Sequence, residues 1–413
     1  MPGRCRREDA VKVLTVNCGS STLKFRVVDA DPHHPPGEPL PWQADGAVER
    51  IGGDRSALSL RDRTGGTARE ERAFTTHGAA IKGVLDILGD RGLLDDLAAT
   101  SHRVVHGGNA FSSPVAVDDG VLAELEGMAG LAPLHNRPAL DAMTTSRRAL
   151  GAGMPAVAVF DTTFHHGLPA RAGRYAIREE LAQRHGIRRF GFHGLAHRWM
   201  SERFAVRAAT ATDAPRLVTL QLGNGCSAAA IDRGRSIDTT MGLTPLEGLM
   251  MGTRSGDVDP GLVDFLAERE GTESGDVLGW LNHDSGLLGV SGRSADMRDL
   301  LDAEAAGDDR ASLAIDMFCY RVRKTIGAYD AALTGATAVV FGGGIGEHAP
   351  QIRKRICAGL EHRDLWLDPE RNESAVGKES TISADGSSVR VEVVPVDEAT
   401  PLAVDTARLL GSG

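Results

Sequence analysis

Two short segments of this chain share one layout: a strand, a glycine-centred turn, then a second strand. The first runs Val13-Leu14-Thr15-Val16-Asn17-Cys18-Gly19-Ser20-Ser21-Thr22-Leu23-Lys24 and continues through residues 25–29. The second runs Leu217-Val218-Thr219-Leu220-Gln221-Leu222-Gly223-Asn224-Gly225-Cys226-Ser227 and continues into alanines, Ile231 and Asp232. Each sets Asn, Gly and Ser where the chain reverses, so backbone N–H groups and small hydroxyls are presented together. That is a nest for an oxyanion such as phosphate. Asn17 and Asn224 lie about half of the 413-residue chain apart. A phosphate hairpin duplicated at that distance implies two related domains gripping one nucleotide.

The length allows about two or three domains with large cores. A net charge of −10 argues against a nucleic-acid footprint, so an acidic ligand must be met by locally gathered Arg, Lys and backbone dipoles. Cys5, Cys18, Cys226, Cys319 and Cys357 are scattered and form no CxxC pair, which reads as reduced thiols in a cytosol. The basic start, Met1-Pro2-Gly3-Arg4-Cys5-Arg6-Arg7, has no adequate apolar stretch behind it, and no run reaches transmembrane length. A cytoplasmic protein is expected, with no nucleic-acid or membrane partner.

Strand-like and helix-like segments alternate throughout, so the class is α/β. Residues 30–41 hold five prolines and the pair His33-His34, and read as a loop. Residues 76–97 show helical spacing at Ile81, Val84, Leu85 and Leu88. Short apolar runs then end in polar or glycine-rich clusters: Arg103-Val104-Val105-His106-Gly107-Gly108, and Ala156-Val157-Ala158-Val159-Phe160-Asp161. Ligands of open α/β sheets collect at the carboxyl ends of strands, which places Asp161 well. Further helices are expected from near His193 through Phe204, over 261–270 and over 310–333. A strand at 337–341 delivers Gly342-Gly343-Gly344-Ile345-Gly346-Glu347, and a late strand at 389–396 ends at Asp397-Glu398.

The first loop lacks GxxxxGK[ST] spacing and a following helix, so it is not a P-loop. It still offers a phosphate or Mg²⁺-water cradle, with Lys24 as a nearby charge. Residues 244–260, Thr-Pro-Leu-Glu-Gly-Leu-Met-Met-Gly-Thr-Arg-Ser-Gly-Asp-Val-Asp-Pro, suit a rigid loop presenting one guanidinium, that of Arg254. Arg fits planar phosphate or carboxylate oxygens in fixed geometry; the bland alternative pairs it with Asp257 or Asp259. Arg103, inside an apolar strand, is either a buried structural partner or a ligand anchor. His193 is either a cap at a helix start or a functional group.

Taken together, these segments resemble the acetate kinase family, within the acetate and sugar kinase, heat-shock and actin superfamily. The matching pieces are residues 17–24, 102–108, Ala132-Pro133-Leu134-His135-Asn136, Val159-Phe160-Asp161-Thr162 and Gly191-Phe192-His193-Gly194. They continue with Leu222-Gly223-Asn224-Gly225, residues 241–260, residues 285–296 and Gly344-Ile345-Gly346-Glu347.

The resemblance implies two duplicated actin-like (ribonuclease H-like) lobes with the nucleotide in the cleft between them. The N-terminal lobe would be residues 1–160 plus about 399–413. The C-terminal lobe, 161–398, would carry the adenosine pocket and much of the active site. It also implies reversible transfer from ATP to acetate, giving ADP and acetyl phosphate, with Mg²⁺ or Mn²⁺, in a homodimer. Asn17 and Glu398 would hold the metal. Lys24 and Gln221, Leu222, Gly223, Asn224 and Gly225 would contact phosphates. Asp296, Met297 and Arg298, with Gly344, Ile345, Gly346, Glu347 and His348, would frame the adenosine. Arg103 and Arg254 would bind the carboxylate and the phosphoryl group, and His193 would stabilise the transition state. Asp161 would be catalytic by orienting Arg or metal-bound water. Val105, Leu134, Phe192 and Pro245 would line the methyl pocket.

Some positions depart from the family pattern. Gln221 stands where His is usual, Asn109 where Glu is, His348 where Asn is, and Thr22 where Ser is; Asp397-Glu398-Ala399 replaces Asn-Glu-Glu. Arg103, Asp161, His193 and Arg254 are all kept, so chemistry is expected to survive. The competing readings are a propionate or other short-chain acyl kinase, and a nucleotide-binding sensor with decayed catalysis on the same scaffold.

Overall fold

The computed structural model describes residues 10–128, 133–151, 153–208 and 215–412, with side chains described from residue 136 in the helix that starts at Pro133. The chain divides into two compact units, Met1–Thr163 with Asp397–Gly413, and Phe164–Val396. These limits fall a few residues from the expected lobe boundaries, and they put Asp161 and Glu398 in the first unit.

The first unit is built on an eight-stranded sheet. Its strands are β1 (Val11–Cys18), β2 (Thr22–Ala30), β3 (Trp42–Glu49), β4 (Ser56–Asp62), β5 (Thr67–Arg72), β6 (Leu97–Val104), β7 (Val115–Ala116) and β8 (Ala156–Phe160), in the order β5-β4-β3-β2-β1-β6-β8-β7. Strands β1 to β5 form an antiparallel meander, whereas β6 runs parallel to β1 and β8 parallel to β6. Side chains alternate across β1, as the two-residue period of a strand requires. Leu14 and Val16 join a core with Ile81, Val84 and Leu88, while Val13 meets Ala403, Val404 and Ala407 of the C-terminal helix Ala399–Gly411. That second contact ties the end of the chain to the first unit.

The helix expected over 76–97 is shorter, His77–Gly89, with the Thr76 side chain capping Ala79 N–H. A turn through Gly92, in the left-handed region at φ 65°, follows it, and Leu97 already opens β6.

The second unit holds a six-stranded sheet of β9 (Arg216–Leu222), β10 (Cys226–Asp232), β11 (Arg235–Thr239), β12 (Ala338–Gly342), β13 (Ser380–Thr381) and β14 (Arg390–Val393), ordered β11-β10-β9-β12-β14-β13. Here too a three-strand antiparallel meander is extended by two parallel strands, β12 and β14. The run β3-β2-β1-β6-β8 of the first unit is therefore repeated as β11-β10-β9-β12-β14, and the duplicated hairpins open both repeats. Trp199, Met200 and Phe204 of the helix Gly194–Ala208 pack on Leu217, Ile231, Val340 and Val394. Gly344 to Glu347, the glycine-rich segment that β12 delivers, lie in a short helix, Gly343–His348.

Candidate active site

In the first unit the site is assembled at strand ends. Arg103 stands one residue before the end of β6, paired with Val159 of β8, and Asp161 follows β8 directly. The register sets guanidinium and carboxylate side by side. Arg103 donates from Nε to Asp161 Oδ1 at 3.0 Å and from NH2 to Oδ2 at 2.5 Å. NH1 donates to Asn17 Oδ1 at 2.9 Å and lies 3.8 Å from Glu398 Oε2. Asn17 in turn donates from Nδ2 to Glu398 Oε2 at 2.5 Å. Burial works against the Arg103 charge, but Asp161 and then Glu398 outweigh it and hold its pKa above the ordinary value.

The hairpin turn is closed by Gly19 N–H donating to Thr22 O at 2.8 Å, and His77 Nε2 is hydrogen-bonded to Gly19 O. Ser20, Ser21 and Lys24 are exposed around it. Val105, just past β6, is buried, and the next turn is fixed by His106 N–H donating to Asn136 Oδ1. The Leu134 side chain lies outside those described.

In the second unit, three elements converge on Gly225. Gly225 sits in the β9–β10 turn, His193 precedes the helix Gly194–Ala208, and Arg254 belongs to the 241–260 loop. A Cβ placed on Gly225 would lie 3.6 Å from His193 Nε2 and 3.7 Å from Arg254 NH1. The absent side chain thus leaves a space faced by an imidazole and a guanidinium. His193 adopts φ 56°, a left-handed conformation that non-glycine residues take at some cost. Its Nδ1 is hydrogen-bonded to Ser227 Oγ. Arg254 donates from NH1 to the Pro245 carbonyl at 2.8 Å. Burial pulls its pKa down, and the neighbouring Cys226 opposes that. Gly252 packs against Asn224: its N–H donates to Asn224 O at 2.9 Å, and any Cβ there would strike Asn224 Oδ1. Gln221 Oε1 is buried and has no hydrogen-bond partner among the described residues.

The residues expected around the adenosine divide by exposure. Gly344 and His348 are exposed, and a Cβ on Gly344 would meet open space. Glu347 acts as a brace, its Oε1 accepting from Gly343 N–H at 2.8 Å and Val396 N–H at 3.1 Å. Asp296 caps the helix Met297–Ala305 and pairs with the exposed Arg298, while the Met297 side chain is buried. Phe192 is fully buried, with its carbonyl hydrogen-bonded to His165 Nε2.

Residues 12–404 match the model of the acetokinase family. The chain belongs to that family. The acetokinase relatives include the acetate kinase of Natranaerobius thermophilus, 42% identical with 97% of this chain and 100% of the relative covered. That of Heliobacterium modesticaldum is 44% identical, with 96% and 99% covered. The crystal structure of Porphyromonas gingivalis acetate kinase superimposes with a TM-score of 0.85 at 40% identity, covering 97% and 100% of the two chains. A propionate kinase from Francisella tularensis gives 0.86 at 34% identity, covering 96% and 98%. These likenesses give the acetokinase chain its fold, two actin-like α/β units.

The sequence reading missed Ser227, His197 and Thr219, which lie behind His193. The spacing of His193 and His197, four residues apart across a helix start, was the available signal.

Proposed function

We propose that the protein is an acetate kinase that transfers the γ-phosphoryl group of ATP reversibly to acetate, yielding ADP and acetyl phosphate. The observation that carries this reading is the convergence of Arg254 and His193 on Gly225, in a chain that matches the acetokinase family almost end to end. Acetate is ionised at neutral pH and needs no strong base to attack phosphorus. The demand is electrostatic: an anion must approach a polyanion, and charge spreads over the transferring oxygens in an in-line transition state. Arg254 supplies a half-buried cation for those oxygens, and Arg103 one for the carboxylate. Asp161 holds the Arg103 fork in one orientation through both carboxylate oxygens. A cation used in this way is worth roughly 10³–10⁵ in rate.

Asn17 and Glu398 would hold Mg²⁺, or Mn²⁺ in its place. Each carries a side-chain oxygen, and Asn17 Nδ2 donating to Glu398 Oε2 brings the two side chains together, with Asn17 Oδ1 accepting from Arg103. This suits Mg²⁺, which takes one or two protein oxygens and completes its shell with water and phosphate. When bound, the ion neutralises charge on the phosphate oxygens. Lys24 and the turn at residues 221–225 would contact phosphates. The open face of Gly344, with Ile345, Gly346, Glu347, His348, Asp296, Met297 and Arg298, would take the adenosine. Val105, Leu134, Phe192 and Pro245 would bound the acetate methyl.

The likeness to a propionate kinase favours a second reading, a propionate-preferring enzyme, and Val105 is the residue that would separate the two. A homodimer is proposed, supported by exposed Phe265, Leu278, Trp280, Leu313 and Tyr320 on the second unit. A reducing, cytoplasmic setting is supported by the buried free thiols of Cys18, Cys226, Cys319 and Cys357. Among the described residues no helix is long and apolar enough to cross a membrane.

The test is trapping of acyl phosphate with hydroxylamine in the presence of ATP, Mg²⁺ and acetate, propionate or butyrate. Hydroxamate is expected from acetate foremost. No product from any acid would sink the kinase reading.

A further inference from the structure

A buried line of hydroxyls and imidazoles ends on His193. Thr219 Oγ1 on β9 lies 2.8 Å from His197 Nδ1; His197 Nε2 lies 2.8 Å from Ser227 Oγ on β10; and Ser227 Oγ lies 2.8 Å from His193 Nδ1. Thr219, His197 and Ser227 are all completely buried. His193 Nε2, at the far end, is the nitrogen near Gly225 and Arg254.

The direction of the line follows from counting protons. Burial, with His165 and His193 nearby, pushes the His197 pKa well below its ordinary value, so His197 is neutral and carries one N–H. Among the described residues Thr219 Oγ1 has no hydrogen-bond partner except His197. If His197 carried its proton on Nδ1, the Thr219 hydroxyl proton would be buried with no acceptor, at a cost of about 1–3 kcal/mol. Thr219 therefore donates to Nδ1, and His197 Nε2–H donates to Ser227. The Ser227 hydroxyl proton is then left to point at His193 Nδ1. A lone pair must receive it there, so the His193 proton sits on Nε2. A second proton on His193 would reverse that last bond and strand the Ser227 proton, and Arg254 beside Gly225 adds like-charge repulsion.

We propose that Thr219, His197 and Ser227 are positioning residues that lock His193 as a neutral imidazole protonated on Nε2. His193 then meets the transferring phosphoryl group as a hydrogen-bond donor, not as a cation. The consequence for catalysis rests on the acetate kinase reading, but the tautomer itself does not. A neutral donor can bond an oxygen without also neutralising the nucleophilic carboxylate.

The test is nitrogen NMR of the full-length, unliganded protein labelled with ¹⁵N-histidine, with the His193 signals assigned by their loss in His193→Gln. The wild type is expected to show an unprotonated Nδ1 and a protonated Nε2 between about pH 6 and 8. A protonated Nδ1, or an imidazolium near neutrality, overturns the proposal. Ser227→Ala is expected to mix the two tautomers and lower kcat roughly ten- to a hundredfold, with KM for acetate moving less than about twofold. Thr219→Val, which removes only the far end of the line, should also mix the tautomers. An unchanged Nε2–H tautomer in these variants overturns the proposal even if the enzyme makes acetyl phosphate. Absent hydroxamate with the expected tautomer instead removes the kinase reading and leaves the lock standing.

Discussion

Arg103 and Asp161 meet through two parallel hydrogen bonds, 3.0 Å and 2.5 Å, with the Asp161 side chain wholly buried and that of Arg103 13% exposed. The pair is set by backbone register, because Arg103 and Asp161 leave neighbouring parallel strands at the same end. Removing the carboxylate leaves a buried cation short of its main partner, which costs about 3–5 kcal/mol. Asp161→Ala is therefore expected to lower both stability and kcat. Asp161→Asn keeps one acceptor and should recover much of the stability while kcat stays low. Urea unfolding and steady-state kinetics on the two variants separate these effects. Equal stability losses would mean that charge, rather than hydrogen bonding, holds the pair.

Much of this was legible in the sequence, because backbone chemistry there is local. The duplicated Gly19 and Gly225 turns are two-strand hairpins, and apolar runs closing in His106-Gly107-Gly108 and in Asp161 announced strand ends. The helix after Leu88 was read too far, since the periodicity carried by Ile81, Val84 and Leu85 says nothing about the left-handed turn at Gly92. The line from Thr219 to His193 was out of reach for another reason. It joins residues on two strands and a helix, and its meaning lies in proton positions rather than residue types. The Glu347 motif likewise says nothing of its Oε1 bracing two backbone N–H groups, because one of the donors, Val396, is distant in sequence.

Val105 follows β6 and is buried; in the role proposed for it, its side chain sets how long an acyl chain is accepted. A buried methylene is worth about 0.8 kcal/mol where space exists for it. Val105→Ala is expected to raise kcat/KM for propionate relative to acetate by several-fold. An unchanged ratio between the two acids would remove Val105 from the pocket.

Gln221 carries a buried carbonyl oxygen that has no hydrogen-bond partner among the described residues, at the position where the resemblance leads one to expect His. A buried polar atom in this state costs about 1–3 kcal/mol, and neutral Gln would add no charge to the phosphate contact proposed for it. Gln221→His is expected to tighten nucleotide binding several-fold and leave KM for acetate unchanged. Calorimetric titration with ADP checks the first part. Weaker ADP binding by the variant would show that the amide is the better phosphate contact.

His102 lies fully buried in β6, hydrogen-bonded through Nε2 to Thr100 and Ser146, and burial lowers its pKa to about 4. In the unfolded chain the same group titrates near its ordinary value of about 6.5. The folded pKa is the lower one, so the unfolded state binds the extra proton as the solution is acidified. The contribution is fully present above about pH 6.5 and is lost as pH falls toward 4, at about 1.4 kcal/mol per pH unit within that window. His102→Asn should therefore flatten the stability–pH slope between pH 7 and 5 by nearly one proton. Urea midpoints at the two pH values measure it, and parallel slopes would mean that His102 is protonated in the fold.

Gly225 offers the cleanest separation of fold from chemistry. A Cβ there would make only ordinary contacts, 3.5 Å and 3.6 Å to His193 and 3.7 Å to Arg254, so Gly225→Ala fits without moving its neighbours. Losing glycine also restricts the unfolded chain, a gain of about 0.4–1 kcal/mol where the backbone tolerates it. The same methyl group occupies the space that the imidazole and guanidinium share, where the transferring phosphoryl group would be bound. Thermal stability is thus expected to hold or rise slightly while kcat falls by at least about 10², the loss typical of one missing oxyanion contact. The melting temperature and the hydroxamate assay on one preparation decide it. A variant that is both stable and fully active would place phosphoryl transfer somewhere other than between His193 and Arg254.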